Sequence, residues 1–236
     1  MAEEPTKLFA SRSEQFPQPS DADIVHAGVR AMVAAVPLLG GPINEVLALV
    51  LAPPVTKRRD VWLKELADAF ERLEAEVAGF KKERLQDNER FVSAALQATQ
   101  IALRTHQQEK RDYLRNALLR IALGKGPDET KQQIFMNAVD AFSPAHVRTL
   151  DLIWRNFRGK NLWSPSQGTR NYGAAIQIAV PEVKGEISLI EAILSDLRNR
   201  GFSNLANLSL PFPAGGQITN IGIEFLEFIL DPADLR

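Results

Sequence analysis

Three histidines, His26, His106 and His146, are the side chains best suited to move a proton or hold a metal near neutral pH. Each stands alone on a separate predicted helix. Only His106 has a carboxylate at i+3 or i+4, namely Glu109. A zinc site needs three or four converging ligands, usually with one closely spaced pair. The chain also contains no cysteine, which removes thiolate ligands, thiol nucleophiles and disulfides together. Neither a metal nor a cofactor is therefore expected. No G-x-x-x-x-G-K-[ST], G-x-G-x-x-G or G-x-S-x-G string occurs, and "GKGPDET" lacks the buried strand that precedes a phosphate loop. With its carboxylates on wet helix faces, the chain is expected to be non-enzymatic.

Positive charge is the second kind of chemistry on offer. From Arg104 to Lys125 six basic residues face two acidic ones, and from Arg148 to Arg170 five face one. Arg104, Arg111 and Arg115 share a helix face, while Arg155, Arg158 and Arg170 flank Trp163. A basic face beside an exposed aromatic suits single-stranded nucleic acid or another anion. The alternative use of the same arginines is pairing with carboxylates of a neighbouring helix.

The elements that would carry these groups are helical. Leu63, Leu66, Phe70, Leu73, Val77 and Phe80 alternate spacings of three and four, an a/d seam fit for antiparallel packing or for a homodimer. The pattern resumes at Phe91 and is expected to run as one helix to Leu123. "GKGPD" at 124–128 marks a domain boundary. Beyond it, "ETKQQIFMNAVDAF", "SPAHVRTLDLIWRNF" (Ser143 as N-cap, Pro144 at the first helical position) and "GEISLIEAILSDLRNRG" read as helices. "RGKNLWSPSQGTRNYG" reads as irregular. "LANLSL" and "QIT" alternate as short strands around Pro-Ala-Gly-Gly, and Thr219 caps a last helix.

The apolar run from Ala31 to Val55 raises the question of a membrane. Its eleven Val, Leu and Ile residues are worth roughly -3 to -7 kcal/mol on the insertion scale, and a central Glu45 alone returns about 2.5 kcal/mol or more. Asn44, two glycines and four prolines erode the rest. Pro53-Pro54 is expected to end its second helix. The run is read as a buried helical hairpin carrying Val36, Leu38, Leu39, Leu47 and Val50, membrane-active only if a trigger released it.

Composition agrees with a globular chain. The 236 residues are 45% hydrophobic and 24% charged, with a net charge of -1. That balance argues against a protein coating nucleic acid along its whole length. The first twenty residues lack the apolar core of a secretory signal and read as a mobile arm, and the expected location is the cytoplasm.

Two resemblances follow from particular residues. "DLRNRGF", a loop, and "QITNIGIEFLEFI" resemble the winged-helix order Leu-x-x-Arg-Gly-hydrophobic, wing, Thr-x-x-Gly-x-x-Phe over about 186–230. A nucleic-acid-binding winged helix wants Lys and Arg on its third helix and wing. Here Glu186, Glu191 and Asp196 precede Arg198, and Ser203 to Asp234 holds no Lys or Arg. More broadly, "DYLRNALLRIAL", "SPAHV" and "QITNIGIEFLEFI" resemble uncharacterised bacterial helical proteins and abortive-infection proteins of the Abi-alpha type. The matching positions are Leu114 to Ala117, Ser143 to Val147 and Thr219 to Phe225. That resemblance implies a role in phage defence and supplies no catalytic residues.

The expected architecture is mainly α. A mobile arm (1–20) precedes an antiparallel helical bundle (21–124) and a winged-helix-like domain with a short β-hairpin (128–236). The expected function is protein interaction or regulation through a partner or a homodimer. The alternatives are nucleic-acid binding through the arginines and a membrane-acting effector that releases the 31–55 hairpin.

Overall fold

The computed structural model describes residues 42–158, 171–212 and 215–231, with side chains from Pro53 onward except that of Phe157. The chain divides into two compact units, Met1–Pro54 and Val55–Arg236. In the first, the described residues are helical from Pro42. Val36, Leu38 and Leu39 lie outside the described residues. Leu47 and Val50 lie on a helix, with side chains that are not described.

The protein is mainly helical. Its α-helices are α1 (Pro42–Glu76), α2 (Glu89–Arg104), α3 (Gln108–Ala122), α4 (Glu129–Ala141), α5 (Pro144–Phe157), α6 (Tyr172–Ala179), α7 (Ile187–Asn199) and α8 (Asn220–Ile229). Short 3-10 turns occupy Lys82–Asp87 and Pro181–Val183. Local chemistry sets most boundaries. Asn88, Asp128, Asn171 and Thr219 each accept a backbone N–H at the start of a helix. Gly201 ends α7 at φ +77°, a left-handed conformation that costs glycine little.

Three elements depart from expectation. α1 continues through Pro53 and Pro54 although each removes a helical N–H donor. The two prolines instead coincide with the division between the units. The long helix expected from Phe91 to Leu123 is two helices. Thr105 turns extended at φ -102°, ψ 144°, and its hydroxyl accepts from Gln107 N–H at 3.1 Å, so the side chain replaces the helical bond. α6 begins in the last two residues, Tyr172 and Gly173, of the stretch expected to be irregular and continues beyond it. It is short, and Asn171 starts it by accepting from Ala174 N–H at 2.9 Å.

Among the described residues there is no strand. The expected hairpin is reduced to an isolated antiparallel bridge between Ser203 and Ile218, and a second bridge joins Asn171 to Pro211. Pro211 has no N–H to offer a ladder, which limits pairing there.

One hydrophobic core runs through the second unit from Trp62 to Ile229. Its densest part is aromatic. Phe202 and Phe225 have ring centroids 4.8 Å apart, and Phe135 lies 5.6 Å from Phe225. Phe142 stands edge-on to Phe202 at 5.6 Å. These rings join α4, the start of α5, the turn after α7, and α8.

Within this unit α1 presents Trp62, Leu66, Ala69 and Phe70 inward. Trp62 donates Nε1–H to Thr99 Oγ1 at 3.0 Å, and Phe70 meets Phe91 edge-on at 5.6 Å. Of the seam residues, Leu66 and Phe70 pack on the core, Leu63 is 50% exposed, and Leu73, Val77 and Phe80 are half-buried.

Candidate functional site

The first turns of α3 and α5, the 3-10 turn Pro181–Val183 and one face of α7 enclose a groove of about 500 Å³. Its apolar side is built from Pro144, Ala145, Val183, Leu189 and Ile193. Val183 and Ile193 are buried, whereas Leu189 is 45% exposed. Leu189, Ile193 and Asp196 of α7 fall at spacings of four and three, so they share one helix face, and Glu186 is the N-cap residue before the helix. From the cap onward the run reads Glu, Leu, Ile, Asp, with two apolar side chains between two carboxylates in sequence.

The polar side is organised by Arg148. Its guanidinium bonds Glu109 of α3 at 3.3 Å and Glu182 of the 3-10 turn at shorter range. Arg148 thus holds two carboxylates at the groove edge. The two helix N-termini that border the groove are already answered. Glu109 lies in the first turn of α3, and the start of α5 is closed by Ser143 and His146.

Ser143, His146 and Asp196 form a line that resembles a proton-transfer trio. Ser143 Oγ lies 2.9 Å from His146 Nδ1, and Nε2 lies 3.4 Å from Asp196 Oδ2. Ser143 N–H also donates to Nδ1 at 3.3 Å, so Nδ1 is an acceptor and the neutral ring carries its proton on Nε2. The geometry is that of a helix cap in which His146, at the third helical position, reaches back to Ser143. The ring stacks on Phe142 with centroids 4.9 Å apart. Burial lowers the His146 pKa, and the hydrogen bond that Nε2–H donates to Asp196 opposes this without reversing it. Asp196, 50 residues away in sequence, could not have been paired with His146 from spacing alone. The only local hint was the Ser143-Pro144 start with a polar residue three positions on.

Four of the six arginines singled out in the sequence pair with carboxylates. Arg104 binds Asp140 at 2.8 Å, Arg111 binds Glu65 at 3.3 Å, and Arg115 binds Asp112 at 2.7 Å. Arg155 holds both oxygens of Asp151, at 2.9 and 2.7 Å. Arg158 lies over the Trp154 ring, 5.1 Å from its centroid. Trp163 and Arg170 lie outside the described residues. His106 is exposed, and His26 lies outside the described residues.

Among the described residues, no group of three or more His, Asp or Glu could hold a metal ion. Among them, too, no helix is long and apolar enough to cross a membrane. Comparison with protein families, with curated proteins and with solved structures found no match.

Proposed function

We propose that this chain is a non-enzymatic interaction protein whose C-terminal, winged-helix-like part docks a protein partner. Support for the winged-helix arrangement comes from α5, α6 and α7, which pack on one another. The loop from 203 to 218 is tied back by bridges Ser203–Ile218 and Asn171–Pro211, as a wing would be. Thr219 then starts α8, which packs against α3 and α5.

The observation that carries the reading is the exposed face of α7. Ile187 with Glu191 lies along one edge of it and Leu189 with Asp196 along the other, the two apolar side chains 46% and 45% exposed. A helix entering a DNA groove needs cations there to release counterions from phosphate. Arg198, the first basic residue of α7, turns back to the carbonyl of Leu205 at 2.8 Å. An apolar and acidic face instead suits a protein surface.

The resemblance to abortive-infection proteins supports phage defence as the setting. The cysteine-free chain suits a reducing cytoplasm. The test is co-purification of the tagged chain from its native host, beside an Ile187→Glu/Leu189→Glu variant with an unchanged melting temperature. A partner retained by the first and lost by the second supports the reading. Tight, salt-sensitive binding of duplex DNA by the unmodified chain would overturn it.

A further inference from the structure

We propose that the groove between α3, α5 and α7 receives a basic amphipathic helix from a protein partner. This rests on the interaction reading above and adds the chemistry of the partner. Leu189 would meet an apolar side chain over a floor of Val183 and Ile193. The flanking carboxylates would take Lys or Arg.

Two observations select a basic occupant over an acidic one. Along α7 the run is Glu186 at the N-cap, then Leu189, Ile193 and Asp196; Leu189 and Ile193 line the groove, and a carboxylate stands on either side of them in the run. A helix carrying Lys or Arg three or four residues either side of Leu is its complement in charge and spacing. At the opposite edge, Glu109 and Glu182 share the single guanidinium of Arg148 and keep about half their surface in solvent. Asp196 is 62% exposed at its side chain, and the ring beside it is neutral near pH 7 because burial lowers the His146 pKa. Among the side chains that line the groove, the two carboxylates of Glu109 and Glu182 outnumber the one guanidinium of Arg148, which favours a basic helix over an acidic peptide or a nucleic acid.

The measurement is fluorescence anisotropy of the full chain with three labelled peptides of about four helical turns. One carries leucines flanked by lysines on a single face, the second replaces each Lys by Glu, and the third scrambles the first. The Lys–Leu helix is expected to bind, about tenfold more weakly at 0.3 M than at 0.05 M salt as the charges are screened. Glu186→Lys/Leu189→Lys should weaken it by at least about tenfold. Both positions are exposed, so the fold is expected to survive, and a matching melting temperature checks it. No binding of the Lys–Leu helix would overturn the proposal. So would equal binding of the Glu or scrambled peptide, or undiminished binding by the variant. If the peptide fails while the native partner still co-purifies, only the groove assignment falls. If the partner is also absent, both readings fall.

Discussion

The α-carbon of Gly222 faces the carbonyl oxygen of Phe202 so closely that a β-carbon at 222 would overlap it. Around this contact the Thr-x-x-Gly-x-x-Phe pattern acquires a physical meaning. Thr219 donates its hydroxyl to Gly201 O at 2.7 Å and accepts from Gly222 N–H at 2.9 Å. Phe225, one turn on, is fully buried against Phe202. The pattern thus fastens the start of α8 to the turn that ends α7.

Gly222→Ala tests that contact through its sign. Helix propensity alone favours alanine by about 1 kcal/mol. The obstructing atom is backbone, which cannot rotate away, so overpacking of roughly 2–3 kcal/mol should dominate. The expected result is a lower urea midpoint at unchanged m-value. A gain in stability would show that the α7–α8 turn yields easily.

His146 makes stability depend on acid. Its folded pKa is lowered from 6.5 by burial, so below about pH 6.5 the unfolded chain binds more protons than the folded one. Stability is therefore full above that pH. It falls on acidification until the folded pKa is passed. Protonation also removes the Nδ1 lone pair that accepts from Ser143. Gln at the third helical position is an ordinary capping partner that does not titrate. His146→Gln should flatten the slope of unfolding free energy between pH 6.5 and the lower limit, with little change at pH 7.5. An unaltered slope would place the titration elsewhere.

The parts of this fold that were legible in the sequence are those set by neighbours in the chain. Asp128, Ser143-Pro144, Gly201 and Thr219 mark helix ends through bonds spanning a few residues. α6 was not legible, because eight mostly apolar residues carry no helical stripe to distinguish them from a buried loop. The break at Thr105 turns on one hydroxyl choosing Gln107 N–H. The alternation in "LANLSL" pointed to a strand, yet the pairing falls at Ser203 and Ile218. The groove was hidden for a different reason. It gathers residues from 107 to 193, and its charge depends on pairs such as Arg148 with Glu182 that only the tertiary fold creates. The arginine-rich segment left anion binding and ion pairing both open, because spacing shows which cations share a face but not which carboxylates face them.

Trp62 joins α1 to α2 by burial and by one bond. The ring is fully buried, and its N–H donates to Thr99 Oγ1. Trp62→Ala should cost about 3–5 kcal/mol. Thr99→Val keeps the shape but strands a buried donor, at roughly 1–3 kcal/mol. In the Trp62→Ala background the valine substitution should cost far less, since its partner is gone. A double-mutant cycle by urea denaturation reads the difference. Additive losses would mean that the N–H finds another acceptor.

Glu65 and Arg111 provide the sharpest test of what the basic face is for. The pair spans α1 and α3 at 3.3 Å with side chains only 22% and 12% exposed. Gln108 also donates to Glu65 at 3.1 Å. Arg111→Glu would set two carboxylates together in a poorly hydrated site, a loss of roughly 3 kcal/mol or more. The reversed pair, Glu65→Arg with Arg111→Glu, restores opposite charges and should recover a large part of that loss. An arginine kept for an anionic ligand would behave otherwise. Its replacement would leave the melting temperature unchanged or raise it, and the reversed pair would recover nothing. Thermal melts of the two single variants and the reversed pair, at low and high salt, separate these cases.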